Sequence, residues 1–390
     1  MTRVTITTKK STHIHKFGKL IFDDGTVFEG TGFGYPSTVF GEVVFNTGMV
    51  GYPETLTDPS YSGQILTLTY PLIGNYGVPD PSLKDQDGIS KFFESSKIQI
   101  RGLVVHELSL YASHWNLFLT LDEWMYNEKI PGISGIDTRA LTQKIRDGGV
   151  MMAALVVSDN EINVEEIKKQ LDSAPKYDDE QFMDEVSTKQ EEVYGSEDDT
   201  VIVLDTGAKN AILRNLRTLG YRVIKLPWNT SFEKIQSYHP KGVVISNGPG
   251  DPQNCPDTIQ TAKKLIENNI PTLGICLGAQ IIGIAGNTET YKLKYGHRGQ
   301  NKPCVNLENN QIYVTSQNHG YGIDPDSLSD SEFNLWFKNA DDKTVEGIKH
   351  KTKKCIAVQF HPESAPGPYD CKFIFEELSN LMGEEKTAKR

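Results

Sequence analysis

The chain has 390 residues and a formal net charge of −11. A chain of this length usually exceeds a single hydrophobic core, so two domains are predicted. The acidic charge argues against a nucleic-acid or anionic-membrane partner, and no apolar run approaches the roughly 20 residues of a membrane helix. The five cysteines are scattered and odd in number, which favours a reducing, cytoplasmic location over a disulfide framework.

The N-terminal half contains β-forming runs broken by Gly and Pro, with few helical patterns. We interpret residues 1–15, which are basic and rich in Ser and Thr, as a loose tail, and residues 16–175 as a domain. LIFDDGTVFEG predicts a hairpin around Asp-Gly, and GIDTRALTQKIRDGG predicts a helix capped by Asp137 and ended by Gly148. These signals favour an α+β domain with a β-rich core.

Residues 176–199 are acidic and show no hydrophobic periodicity, so we interpret them as a linker. From 200 to 385 apolar strands alternate with amphipathic helices, beginning with TVIVLDTG and AKNAILRNLRTLG. Strands that are apolar on both faces predict a mostly parallel, doubly wound sheet covered by helices on both sides, which is an α/β fold. Such sheets carry their sites at the carboxyl ends of the strands.

Cys276 lies in LGICLGAQ, where an apolar strand ends and a helix begins. Gly274 and Gly278 flank it in a G-x-C-x-G pattern, the cysteine form of a nucleophile elbow. The positive end of the following helix favours thiolate over thiol. A buried cysteine that only packs behind the strand is the alternative.

A histidine and a glutamate follow another apolar strand in CIAVQFHPES. His361 just past the strand end can reach a cysteine on a neighbouring strand, and Glu363 can hold the other ring nitrogen. The set Cys276, His361 and Glu363 therefore predicts a nucleophile, a base and a residue that orients the base. A surface histidine and a solvated glutamate are the alternative.

Two glycines around a proline follow the strand in VVISNGPGDP. Gly248 and Gly250 predict a loop that can direct backbone N–H groups at a ligand, as an oxyanion site does. By itself the same pattern is only a turn.

SNGPGDP, GICLGAQ, TSQNHGY and QFHPES occur in an order that resembles the class I glutamine amidotransferase domain, whose fold is flavodoxin-like. GEVVFNTGMVGYPETLTDPSYSGQILTLTYPLIGNYG and ISGIDTRALTQKIRDGG resemble the N-terminal domain of the carbamoyl-phosphate synthase small-chain family. Two alternatives are an amidotransferase that serves another synthetase, such as those for anthranilate or guanylate, and a catalytically inactive regulatory module on the same fold.

The resemblance implies that the Cys276 thiolate attacks the side-chain amide of glutamine and that His361 protonates the departing ammonia. The backbone N–H groups of Leu277 and of the Gly248–Gly250 loop would stabilise the oxyanion. The resemblance also implies a set of glutamine-binding residues: Ser60, Gly248, Gly250, Leu277, Gln280, Asn318, Gly320 and Tyr321.

The chain has no phosphate-binding P-loop. The resemblance implies a large partner chain that uses ATP, Mg²⁺ and bicarbonate to make carbamoyl phosphate for arginine or pyrimidine biosynthesis. The two chains would form a heterodimer or a higher assembly of heterodimers. We expect no cofactor and no metal in this chain.

Overall fold

The computed structural model describes residues 7–384 and 386, which form two compact units. Unit 1 comprises the residues up to Leu83 together with Ser90–Glu180. Unit 2 comprises Lys84–Ile89 and the residues from Gln181 onward. Within the described ranges no helix has the length and apolar character needed to cross a membrane.

The strands of unit 1 are β1 Thr7–Lys10, β2 Ile14–Phe22, β3 Val27–Gly34, β4 Thr38–Asn46, β5 Gln64–Ile73, β6 Gly102–Leu108, β7 Tyr111–His114, β8 Pro131–Ser134 and β9 Met151–Ser158. Its helices are α1 Tyr52–Leu56, α2 Leu121–Asn127, α3 Thr138–Gly148 and α4 Val164–Asp172. Seven of these strands close into a barrel in the order β2-β3-β8-β6-β5-β4-β9. Closure leaves the barrel without open strand edges, and the prediction of a β-rich core is confirmed.

The predicted hairpin and the predicted helix are both present in unit 1. Ile21 lies opposite Val27 across the turn between β2 and β3, where Gly25 has a φ of 86°. The Asp137 carboxylate accepts the Ala140 N–H at 2.9 Å and caps α3. The helix ends at Gly148, as predicted, and Gly149 is its C-cap residue.

The prediction of a loose tail over residues 1–15 is wrong for residues 7–15. β1 pairs antiparallel with β7, and β2 begins at Ile14. Between these strands the Asp122 carboxylate accepts the backbone N–H groups of Thr12 at 2.8 Å and His13 at 2.9 Å. The anchoring partners lie more than one hundred residues downstream, so local composition does not reveal them. Residues 1–6 lie outside the described residues.

Unit 2 contains a mixed sheet built from β10 Glu192–Tyr194, β11 Thr200–Asp205, β12 Arg222–Pro227, β13 Gly242–Ile245, β14 Thr272–Ile275, β15 Thr290–Asn306, β16 Ile312–Ile323, β17 Phe333–Asn339, β18 Val345–His350 and β19 Cys355–Val358. Its helices are α5 Met183–Val186, α6 Asn210–Thr218, α7 Phe232–Gln236, α8 Pro256–Glu267, α9 Leu277–Ala285 and α10 Phe373–Met382. Among the described residues the strand order is β10-β12-β11-β13-β14-β19-β18-β17-β15-β16.

Five neighbouring strands of this sheet run parallel to one another: β12, β11, β13, β14 and β19. Every residue of β11, β13, β14 and β19 is buried, as expected for a sheet that helices cover on both faces. The predicted α/β class is confirmed. The antiparallel extension through β18, β17, β15 and β16 was not predicted.

The stretch 176–199, which we interpreted as a linker without regular structure, contains α5 and β10. β10 pairs antiparallel with β12. The acidic side chains meet basic partners of unit 2, since Glu192 lies 2.9 Å from Lys225 and Glu197 contacts Arg217. The change from unit 1 to unit 2 falls within this stretch, after Glu180.

Candidate active site

Cys276 lies in a strained turn between β14 and α9. Its φ of 54° and ψ of −106° are unusual for a residue with a side chain. The glycines on either side permit this turn. A Cβ on Gly278 would lie 2.0 Å from the Ile245 carbonyl oxygen, and one on Gly274 would lie 2.5 Å from the Gly278 carbonyl oxygen. The arrangement is that of a nucleophile elbow at the positive end of a helix.

Strand register brings His361 to this elbow. β14 and β19 are parallel neighbours with Ile275 opposite Val358, and the Cys276 N–H donates to the Val358 carbonyl at 2.9 Å. His361 follows three residues after Val358, where its own N–H donates to the Ser316 carbonyl of β16 at 2.9 Å. The structure thus brings together two of the predicted residues that are 85 positions apart in sequence.

Glu363 orients the histidine ring. Nδ1 of His361 lies 2.7 Å from Oε1 of Glu363, which keeps the proton on Nδ1 and a lone pair on Nε2. Within the described part of the chain Nε2 has no hydrogen-bond partner, and Cys276 is close enough to raise the pKa of the ring. Cys276 and His361 are each 2% exposed, so their interaction is weakly screened.

Lys209 completes the array and was missed by the sequence analysis. Its ammonium lies 2.7 Å from Oε1 of Glu363. Asp205 at the end of β11 accepts the N–H groups of Gly207 at 3.0 Å and Ala208 at 2.7 Å, which turns the chain toward the site. The sequence did contain a signal for Lys209. This lysine lies between the first apolar strand and α6, and the segments that follow parallel strands at their carboxyl ends commonly form the site.

The charges of this array shift the pKa values of its members. Burial raises the pKa of Glu363, but Lys209 and His361 outweigh burial and lower it to about 2. Burial and the Lys209 ammonium lower the pKa of His361, whereas Glu363 and Cys276 raise it, with the net result about 10. The carboxylate is therefore ionised, and the imidazole is readily protonated when a proton is available from the thiol.

The Gly248–Gly250 loop lies beside the elbow. A Cβ on Gly248 would lie 1.9 Å from the Thr206 carbonyl oxygen and 2.9 Å from the Leu277 side chain. Gly250 has a φ of 87°, and Phe182 lies next to it. Within residues 7–384 and 386 the Leu277 N–H has no acceptor. An oxyanion role for the backbone N–H groups of Leu277 and of this loop stays a prediction.

Three further residues predicted to bind glutamine lie on β16. The Cys276 thiol donates to the Asn318 carbonyl at 3.6 Å. Gly320 and Tyr321 follow on the same strand. Gln280, on α9, donates through Nε2 to the Tyr321 carbonyl at 2.8 Å and to Gln359 Oε1 at 3.1 Å. Any contact between Gln280 and a substrate therefore uses its Oε1 atom.

Ser60 is the predicted site residue that lies in unit 1. It is buried in a short 3₁₀ turn after Asp58, whose carboxylate accepts its N–H at 2.9 Å. Its local geometry is that of an Asx-Pro turn. A role in glutamine binding stays a prediction from the family resemblance.

Sequence comparisons match both halves of the chain to known families. Residues 202–381 match the family profile "Glutamine amidotransferase class-I", and residues 20–155 match "Carbamoyl-phosphate synthase small chain, CPSase domain". A carbamoyl phosphate synthase small chain from Pyrococcus furiosus is 46% identical and covers 96% of this chain and 100% of its own length. Small chains from Saccharolobus solfataricus and Methanopyrus kandleri are 43% and 42% identical, each over 94% of this chain and over 98% and 99% of their own lengths.

Proposed function

Because the chain belongs to the family of carbamoyl-phosphate synthase small chains, we propose that unit 2 hydrolyses glutamine with Cys276 as the nucleophile. The chain is the glutaminase subunit of a glutamine-hydrolysing carbamoyl-phosphate synthase. The observation that carries the mechanism is the Cys276 elbow on the strand next to the one that leads to His361, with Glu363 and Lys209 aligned behind the histidine ring.

The first step is formation of the thiolate. His361, whose Nδ1–H is held by Glu363, accepts the Cys276 proton at Nε2 and becomes an imidazolium. The buried carboxylate stabilises this cation, and the N-terminus of α9 stabilises the thiolate. The raised pKa of His361 favours the same proton position.

The thiolate then attacks the side-chain amide carbon of glutamine, forming a carbon–sulfur bond and placing negative charge on the amide oxygen. The Leu277 N–H and the backbone of the Gly248–Gly250 loop, which lies beside Leu277, would stabilise this charge. The His361 imidazolium gives its proton to the amide nitrogen, the carbon–nitrogen bond breaks, and ammonia leaves. A γ-glutamyl thioester remains on Cys276.

Hydrolysis of the thioester regenerates the thiol. Neutral His361 removes a proton from water, which attacks the thioester carbon. The carbon–sulfur bond then breaks, the thiolate leaves and regains its proton from His361, and glutamate is released. Cys276 is thus the nucleophile of the first half-reaction and the leaving group of the second, and His361 transfers a proton in both.

Glutamine recognition would involve the residues around the elbow. Asn318 contacts the Cys276 thiol through its carbonyl, Gly320 and Tyr321 follow it on β16, and Gln280 is bonded to the Tyr321 carbonyl. Ser60 would add a further contact, as the family resemblance implies. This set is polar backbone and amide chemistry, which suits the neutral amide and the zwitterionic end of glutamine.

The ammonia would pass to a large partner chain, as the name "small chain" of the relatives suggests. That chain would use ATP, Mg²⁺ and bicarbonate to make carbamoyl phosphate for arginine or pyrimidine biosynthesis in the cytoplasm. A heterodimer, or a higher assembly of heterodimers, is the expected arrangement.

The two alternatives have less support. An amidotransferase for another synthetase does not account for the small-chain profile over residues 20–155. An inactive regulatory module does not account for a cysteine elbow on the strand next to a buried histidine–carboxylate pair.

Replacement of Cys276 by serine tests the proposal in the complete enzyme. Mixed with its large partner, Cys276→Ser loses glutamine-dependent carbamoyl phosphate synthesis and retains ammonia-dependent synthesis, because the second route bypasses the thiol. Undiminished synthesis from glutamine would show that another residue is the nucleophile. Loss of both routes would argue against separate glutaminase and synthetase sites.

A further inference from the structure

A second group of buried titratable side chains lies on the antiparallel strands of unit 2. His297 on β15, His319 on β16 and Glu346 on β18 are 8%, 5% and 0% exposed. One potential ligand atom from each residue lies within 4.8 Å of the other two. Nδ1 of His297 and Oε1 of Glu346 are 3.5 Å apart.

The lone pairs of both histidines are directed by hydrogen bonds on the opposite side of each ring. His319 Nδ1 lies 2.7 Å from the Tyr321 carbonyl oxygen, so this nitrogen carries the proton. His297 Nε2 lies 2.7 Å from Asp342 Oδ2 and donates there. The remaining nitrogens, Nε2 of His319 and Nδ1 of His297, are left with lone pairs.

These lone pairs are not satisfied by the protein. In the part of the chain that the structure describes, His319 Nε2, His297 Nδ1 and Glu346 Oε2 are buried without a hydrogen-bond partner. Each such buried group is costly. Protonation of His297 would give it a bond to Glu346, but would still leave His319 Nε2 unsatisfied. A single cation between the three residues would satisfy all of them.

The ligand set and its surroundings favour a transition metal. Two imidazoles and one carboxylate are typical of Zn²⁺, whereas Mg²⁺ and Ca²⁺ prefer oxygen ligands. A carboxylate behind one ring and a backbone carbonyl behind the other are the outer partners usually found for metal-bound histidines. Glu346 and Asp342 supply two negative charges against the nearby Arg298 guanidinium, so the region accepts a cation.

We propose that His297, His319 and Glu346 bind one divalent transition-metal ion, with Zn²⁺ as the expected species. The sequence analysis expected no metal in this chain. With zinc bonds of about 2.0–2.1 Å, tetrahedral ligand atoms lie about 3.3 Å apart. The ligand atoms of the three residues now lie within 4.8 Å of one another, so each pair would have to approach by about 1.5 Å or less. A water molecule would complete the coordination.

The proposed ion would hold the wall of the active site. His319 directly follows Asn318, whose carbonyl accepts the Cys276 thiol. The ion would tie this part of β16 to β15 and β18, and so fix Asn318. Its role is positioning, because none of the three ligands is assigned a step in glutamine hydrolysis.

Cobalt provides a direct readout that does not depend on glutaminase activity, so failure here is distinguishable from failure of the proposed function. The full chain is stripped with a chelator and titrated with Co²⁺. We expect the visible absorption of tetrahedral Co²⁺ to saturate at one ion per chain and to be displaced by Zn²⁺. Glu346→Gln removes a ligand at nearly constant shape and should weaken binding by about a hundredfold or more.

The matched control is Glu332→Gln, because Glu332 also faces a histidine, His350 at 3.4 Å, but lies at the surface. This variant should bind like the wild type. Absence of a Co²⁺ or Zn²⁺ complex in the wild-type chain would overturn the proposal, as would equal binding by Glu346→Gln. If Glu346→Gln does not fold, thermal denaturation of the wild type decides: Zn²⁺ should raise the melting temperature and Mg²⁺ should not, and no rise with Zn²⁺ overturns the proposal.

Discussion

The Lys209 ammonium and the Glu363 carboxylate lie 2.7 Å apart, although the residues are separated by more than 150 positions in sequence. The same carboxylate oxygen accepts His361 Nδ1 at 2.7 Å. One buried oxygen therefore connects Lys209, which directly precedes α6, with the base His361. The glutaminase array has four members, and Lys209 acts on the thiol only through the other two.

Replacement of Lys209 by methionine tests this connection. A charge-assisted hydrogen bond contributes about 1.5–3 kcal/mol, so Lys209→Met should lower the glutaminase kcat/KM by roughly ten- to a hundredfold. Steady-state kinetics with glutamine measure the effect. Lys264→Met is the control, since Lys264 pairs with Glu233 at 2.6 Å on the surface. Equal kcat/KM values for the two variants would refute a role for Lys209.

The protonation state of His361 gives a second prediction. Burial and Lys209 lower the pKa of this imidazole, and Glu363 and Cys276 raise it. Glu363→Gln and Cys276→Ala should therefore each lower the pKa of His361. NMR titration of ring-labelled histidine measures both changes. A pKa that is the same in wild type and Glu363→Gln would contradict the proposed pairing.

The same pKa shift has a consequence for stability. Because folding raises the pKa of His361 above the unfolded value of about 6.5, protonation stabilises the folded state fully below that pH. This contribution is lost as the pH rises through the folded value of about 10. Denaturation of wild type and His361→Gln at several pH values measures the difference in their free energies of unfolding. This difference should decrease as the pH rises from about 6.5 to about 10. A difference that widens with pH would have the wrong sign.

The elbow glycines provide a test of geometry. A Cβ on Gly278 would lie 2.0 Å from a backbone oxygen that cannot move freely, so Gly278→Ala should cost about 1–3 kcal/mol or more of stability and most of the glutaminase activity. Thermal denaturation and glutaminase assays measure both. Gly322→Ala serves as the control, since its Cβ would meet only the Tyr291 ring at 3.7 Å. A Gly278→Ala chain with normal melting and normal activity would show that the turn is less tight than described.

Much of unit 2 was predictable because its parallel strands are buried on both faces. Such strands appear as short apolar runs, and the elbow and His361 follow two of them directly. The long strands β15 and β16 were missed because exposed and buried residues mix along them, with register shifts between Lys292 and His297 and between Gly299 and Lys302. Their hydrophobic periodicity is therefore weak.

Contacts between distant segments account for the other differences. The tail over residues 7–15 is held by Asp122, and the predicted linker is held by Lys225 and Arg217. The composition of these segments predicts that they are exposed to solvent, because composition does not show which distant residues of opposite charge contact them. Lys209 was missed for the same reason, because its partner Glu363 is identified only by the fold.

Trapping of the acyl-enzyme tests the central claim most directly. The chain, with its large partner, is mixed with glutamine, quenched in acid during turnover, digested and examined by mass spectrometry. The account predicts a γ-glutamyl thioester on the peptide that contains Cys276, removed by hydroxylamine and absent from Cys276→Ser. Glutamine hydrolysis with an adduct on a different residue, or with Cys276→Ser as active as wild type, would contradict it.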